Sequence, residues 1–355
     1  MTFVDEVKNA VTVRAALLVI GVLGLMVAFI ASYAGAFHHP KPKDIPFAVV
    51  APQQISGQLT QRLGSLPGDP LDVRTAKNEA DAMRQLRDRS VDGALLVDPR
   101  STTDRLLVAS GGGASLAQAV EAITTAAEKA QQRTVKVIDV APAAEGDSRT
   151  LSAFYLVVGW CVGGYLCAAI LAISAGARPA NTHRALIRLA VLAVYSIAAG
   201  LLGSLIIGPV LDALPGSYLG LAGLGALVVF AVGATTLAFQ GLAGVVGIGL
   251  AILVIVVLGN PSAGGAYPYP LLPPFWRTIG PGLPPGAGTW SARSIAYFRG
   301  EAVTGPLLVL SIWAVAGAVI TVVLAGLNRD RDERPVGTGR SSGAGGDLGE
   351  RPVGA

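Results

Sequence analysis

Hydrophobic positions along this chain gather into six long runs that contain no charge, at 15–36, 151–177, 189–207, 218–239, 242–258 and 306–327. A helix that crosses the hydrocarbon of a bilayer needs about 20 such residues in a row. The pattern predicts six transmembrane helices. The fifth run is the shortest, and only Gln240 and Gly241 separate it from the fourth. One helix over both would be too long for a bilayer, so a tight helical hairpin is expected. The first run also raises the alternative of a cleaved signal peptide, because Ala34-Gly35-Ala36 fits a small-residue cleavage site. Its 22 residues exceed the ~7–15 of a signal core, and Asp5 and Glu6 weaken a basic leader. An uncleaved anchor is the expectation.

Between the first two runs the pattern shortens. Residues 47–50, 71–74, 91–97, 106–109 and 135–140 read as strands, and 53–63, 78–89 and 114–132 as helices. Ala80, Met83 and Leu86 recur at three-residue steps, the spacing of one helix face. The order β-α-β-α-β-β-α-β predicts a small α/β domain over residues 37–150. The expected class is an α-helical polytopic membrane protein of six transmembrane helices, with this domain between the first and second. The remaining parts are a terminus at 1–14, a five-helix region at 151–327 with a Pro/Gly/aromatic loop at 259–305, and a disordered tail at 328–355.

Charge sharpens this division. Only 14% of the 355 residues are charged, against about 25% in soluble proteins. Residues 37–150 hold 28 of the 50 charged side chains, whereas 15–36 and 151–327 together hold eight. Lys and Arg in short loops set orientation. Lys8, Arg14, Arg178, Arg184, Arg188, Arg329, Arg331, Arg334, Arg340 and Arg351 fall on one side, and Arg277, Arg293 and Arg299 on the other. Both termini are therefore expected in the cytoplasm, the 37–150 domain outside, and the protein in the plasma (inner) membrane. The net charge of +4 gives no case for nucleic acid.

The chemistry-bearing residues form no catalytic constellation, so no enzyme, cofactor or metal is expected. His38 and His39 are adjacent, and neighbouring side chains on an extended segment point apart. Gly111-Gly112-Gly113 lacks the Lys-Ser/Thr of a phosphate loop and reads as a turn. Asp81, Arg84, Arg87, Asp88, Arg89 and Asp92 alternate in sign, the pattern of a solvated face. Cys161 and Cys167 do not share a helix face, and the 37–150 domain has no cysteine. Gly159 and Gly163, and Gly241, Gly244 and Gly247, stand at helix-packing spacings, which serve a compact bundle or a moving interface equally. The tail repeats Glu-Arg-Pro-Val-Gly at 333 and at 350, either as a docking motif or as low-complexity drift.

The 259–305 loop is dense in proline, which forbids a long helix, and its aromatics suit the bilayer interface. Residues 271–279 are short enough to dip into the outer leaflet, and an anchored outer loop is the plainer alternative. Gly259-Asn260-Pro261-Ser262-Ala263-Gly264-Gly265, Leu271-Leu272-Pro273-Pro274-Phe275-Trp276, Leu283-Pro284-Pro285-Gly286-Ala287-Gly288, Ala292-Arg293 and Tyr297-Phe298 follow one another here. This run resembles the last outer loop of the YhgE/Pip membrane proteins, which are related to type-2 ABC export permeases. Gly146-Asp147-Ser148-Arg149-Thr150-Leu151-Ser152-Ala153-Phe154-Tyr155 fits the same group. The layout of one span, an outer domain and five spans agrees, although the outer domain is shorter than in many members.

The resemblance implies a permease-like subunit of an ABC-type export system, working as a homo- or heterodimer in the lipid bilayer with a separate cytoplasmic ATPase. It implies an ATPase-contact loop at Arg178, Arg184, Ala185, Leu186 and Arg188, although positive-inside retention explains these arginines equally. It also implies an outer gate at Asn260, Pro261, Gly264, Gly265, Pro273, Phe275, Trp276, Pro284 and Arg293. The alternative is a non-transporting envelope scaffold or secretion accessory of the same group. The chain has no G-x-x-x-x-G-K-[ST] motif, so it cannot supply a P-loop ATPase itself.

Overall fold

The computed structural model describes residues 12–332. Lys8, Arg334, Arg340, Arg351 and both copies of the tail repeat lie outside the described residues. Five helices are long and apolar enough to cross a membrane: α1 (Val13–Phe37), α5 (Ser152–Ala175), α6 (Thr182–Leu205), α7 (Tyr218–Ala243) and α11 (Thr304–Asp332). The chain is a polytopic helical membrane protein that also carries a small sheet. Helix α11 runs on through Asp332, so the first residues of the expected tail are helical.

The sheet lies between α1 and α5. It is built from β1 (Ile45–Val50), β2 (Leu71–Thr75), β3 (Gly93–Leu96), β4 (Thr103–Val108) and β5 (Thr134–Asp139). Helices α2 (Gln53–Gly64), α3 (Glu79–Arg87) and α4 (Ala114–Lys129) connect them. The spatial order is β2-β1-β3-β4-β5, parallel except for the β3–β4 pair. Alternation along β1 sends Ile45, Phe47 and Val49 to one face, where α2 and α4 bring Leu59, Leu63, Leu116 and Val120. Ala48 points to the other face, with Ala82 and Leu86 of α3. The elements follow the predicted order because both helix and strand periods are well kept here.

Helix α7 is the axis of the helical part. In its most apolar stretch 78% is buried, against 6% for α1. Three neighbours reach its backbone through a glycine. A methyl on Gly164 of α5 would lie 2.7 Å from the Val229 carbonyl oxygen, and one on Gly317 of α11 2.6 Å from the Thr235 nitrogen. A methyl on Gly200 of α6 would overlap the Ala222 carbonyl. Lipid offers little hydrophobic drive for helix association, so such close backbone approach takes its place. The predicted Gly159/Gly163 pair is not this contact. Gly159 meets nothing, and Gly163 faces only the Tyr195 hydroxyl, because the packed face is shifted by one residue to Gly164.

The fifth predicted span is shorter than the other five and is not one continuous α-helix. Helix α7 continues through Gln240 and Gly241 to Ala243, and Gly244 turns the chain with φ +62. Gly247 then packs against the Phe239–Gln240 backbone, where a side chain would collide. The start of the run is thus used for the end of α7 and the turn. What remains is α8 (Val246–Ala251), continued in π-type turns over Ile252–Gly259. It covers roughly 20 Å, short of the ~30 Å hydrocarbon core.

The following 259–305 segment, whose prolines argue against a long helix, holds two helices of 6 and 14 residues. They are α9 (Pro274–Ile279) and α10 (Pro284–Tyr297). Both start on proline, where the missing N–H has no helical partner to lose. Helix α10 is buried from Pro284 to Thr289 and packs against α5, α7 and α11.

Replacing Gly200 with Leu is expected to lower the melting temperature of the purified protein clearly, since overpacking against rigid backbone costs about 1–3 kcal/mol or more. Gly159→Leu, in open space, is expected to leave it nearly unchanged. Equal effects in a thermal melt would contradict the packing described here.

Candidate functional site

Six of the nine residues predicted as an outer gate lie at a junction between the sheet and the helices. Arg293 on α10 is 3% exposed. Its Nη1 donates to the Gly264 carbonyl (2.6 Å), and its Nη2 to the carbonyls of Gly265 (2.6 Å) and Thr150 (2.9 Å). One guanidinium thereby ties α10 to the chain leaving α8 and to the chain entering α5. Gly264 sits at φ +70, and a side chain on Gly265 would overlap the Phe154 ring. The backbone can present both carbonyls to Arg293 only with glycine at these two positions.

The same face of α10 carries the sheet. Trp290, Arg293, Ser294 and Tyr297 follow the i, i+3, i+4, i+7 spacing of a helix face. Arg89, just past α3, stacks its guanidinium 3.5 Å from the Trp290 ring centre and 5.0 Å from that of Phe298. Its Nη1 donates to the Trp290 carbonyl (3.1 Å) and the Ser294 hydroxyl (2.9 Å). Tyr297 donates to Asp147 (2.9 Å), and the other oxygen of Asp147 accepts from the Ser152 N–H (2.9 Å) at the start of α5. Gly111 lies directly on the Tyr297 ring, where a side chain would not fit.

These groups enclose a cavity of about 30 Å³ lined by Arg89, Asp92, Tyr269, Trp290 and Arg293. Tyr269 stacks on Trp290 at 6.1 Å. The Tyr269 hydroxyl and Arg293 Nε are shielded and have no hydrogen-bond partner among the described residues. The space is enough for about two water molecules, which such donors suit. Burial pushes the Asp92 carboxyl up to about 6, with Arg89 and Arg74 pulling the other way. Asp92 and Arg89 are therefore not on the solvated face that their alternating signs predict. Arg89 leaves α3 at φ +55, which takes it out of the helical register.

The predicted gate divides in two. Asn260, Pro261, Gly264, Gly265, Pro284 and Arg293 are buried at the junction. Pro273, Phe275 and Trp276 lie apart on α9, with Phe275 57% exposed and in edge contact with Trp276. Trp276 approaches Gly35 of α1 instead. The predicted ATPase-contact loop is not a separate element, because Asn181 caps α6 and the helix starts at Thr182. Arg184 and Leu186 are exposed on its first turns, and Ala185 is buried. Arg188 turns inward and donates to the Ala175 and Gly176 carbonyls (2.8 Å each), capping the end of α5. Arg178 donates to the Leu242 carbonyl (3.2 Å).

Among the described residues, no three His, Cys, Asp or Glu side chains gather as a metal-binding group. Comparison with models of known protein families, with curated proteins and with solved structures gives no match.

Asp92 gives the junction a pH dependence. Its folded pKa of about 6 lies above the unfolded value, so the folded protein keeps a proton that the unfolded chain releases. The resulting penalty is about 3 kcal/mol at pH 7.5, falls as the pH drops through about 6, and is nearly gone by about pH 3. The melting-temperature difference between wild type and Asp92→Asn is expected to shrink steadily over that range. A difference that does not vary with pH would contradict this placement of Asp92.

Proposed function

We propose that the chain is a permease-like transmembrane subunit of an ABC-type export system, of the YhgE/Pip kind, driven by a separate cytoplasmic ATPase. The observation that carries the reading is the discontinuity after α7. The apolar segment after α7 is broken into α8 and π-type turns, and α10 is buried within the helical part. Interrupted backbone of this kind is tolerated at membrane depth only where protein covers it or where it lines a cavity. Discontinuous helices also build the substrate sites of many transporters. The sheet is clamped to this element by Arg89, so a change in the outer domain reaches the discontinuity directly.

The energy source follows from what the apolar runs hold. They contain no charged residue, and coupling to an ion gradient usually requires one. Work on a substrate would then come from another chain on the cytoplasmic side. In this reading the α5–α6 connection lies on that side, and its arginines agree with the positive-inside rule. Arg184 and Leu186 are its outward-facing residues, with Arg188 already engaged in capping α5.

The full chain, tagged and gently purified from its native membrane, is expected to bring an ATPase subunit with it. Arg184→Glu combined with Leu186→Glu should release that subunit while the protein stays in the membrane fraction. A wild-type preparation that holds no ATPase would remove the energy source and favour the scaffold reading.

A further inference from the structure

We propose that the crevice between α2 and α4, beyond the carboxyl ends of β1 and β3, binds a small organic anion with an apolar portion. The proposal concerns the sheet alone and stands whether or not the chain transports anything.

Topology creates the crevice. From β1 the chain passes through α2 to β2 on one side, then returns through α3 to β3 on the other side of β1. The strand order therefore reverses between β1 and β3. Helices α2 and α4 share one face of the sheet but pack over different strands, and so they part above the reversal. In open α/β sheets, ligands bind at this kind of switch point, outside the carboxyl ends of the strands. The opening here measures about 360 Å³, within the usual range of small-molecule sites.

Its chemistry is two-sided. Leu59 and Val97 give an apolar floor, and Gln58 stands exposed on the rim. Arg62 and Arg133 supply charge, and buried carboxylates hold both in place. Arg133 grips Asp104 through two bonds of 2.6 Å, and Arg62 Nη2 donates to Glu128 (2.5 Å). Asp104 and Glu128 are 0% and 1% exposed, whereas the two arginine side chains are 24% and 35% exposed. Asp104 lies behind the surface, and Glu128 lines the inner wall bound to Arg62 and Arg133, so the more accessible charge is cationic. Nη1 of Arg62 and Nη1 of Arg133 make no hydrogen bond among the described residues. A guanidinium fixed by one edge and open at another is preorganised for a carboxylate or phosphate group. The apolar floor suits the hydrocarbon part of the same ligand.

Isothermal titration of the full chain in nanodiscs, with phenyl phosphate, benzoate and neutral benzyl alcohol as probes, tests this. Saturable binding is expected for at least one anion, with benzyl alcohol at least about tenfold weaker, the worth of one charged hydrogen bond. Binding of phenyl phosphate alone would identify a phosphate ester as the ligand class, and of benzoate alone a carboxylate. Arg62→Gln should weaken anion binding about tenfold or more. Gln58→Trp, which fills the crevice from its exposed rim without touching an ion pair, should abolish it while leaving the melting temperature unchanged. No saturable binding of either anion, equal binding of benzyl alcohol, or binding that survives Gln58→Trp would overturn the proposal.

Discussion

A buried guanidinium must be satisfied, and at Arg293 it is satisfied by three backbone carbonyls from two distant stretches of chain. Removing a charge from water costs several kcal/mol unless hydrogen bonds replace the lost hydration. The segments around Arg293 are therefore not free to adopt other paths. The chain leaving α8 must deliver the Gly264 and Gly265 carbonyls, and the chain entering α5 must deliver that of Thr150. The first requirement fixes where α8 stops. The second seats the sheet beside α10, where Arg89 and Asp147 complete the contact.

The helical part supplies the wall against which this junction is built. Helix α7 is encircled by α5, α6, α10 and α11, and three of these approach its backbone through glycine. Helix α10 fills the remaining side of α7, and its buried first turns, from Pro284 to Thr289, are small or proline-capped. The same helix then turns its polar face toward the sheet. A single element thus joins a lipid-type packing surface to a water-type polar contact, and the sheet and the broken segment after α7 share it.

Much of this was legible in the sequence wherever a single period dominated. The 37–150 segment keeps helix and strand periods cleanly, and its elements occur in the predicted order. Five of the six apolar runs are long helices, and 242–258 is a shorter, broken one, because hydropathy does not register a turn made by Gly244 and Gly247. Proline density in 259–305 predicted no long helix, yet prolines at a helix start are harmless, and Pro284-Pro285 occupy that position. Arg293 was named from a family resemblance, and its helical spacing with Trp290, Ser294 and Tyr297 was readable without one. Arg89 and Asp92 were hidden, since alternating charge reads as a solvated face and only the left-handed turn at Arg89 takes them out of it. Arg188 reads as a surface cation, although it lies nearly two turns into α6 and reaches back to the end of α5.

The coupling of these parts through Arg293 is open to direct measurement. Hydrogen–deuterium exchange of the full chain can compare wild type with Arg293→Gln, which is close in size but carries no charge. If one guanidinium holds the junction together, amides near residues 150–152, 263–266 and 89–92 will all exchange faster in the variant, and by a similar factor. Faster exchange confined to α10, with the sheet contact and the chain after α8 unchanged, would show that Arg293 is a local packing residue and would contradict the coupling.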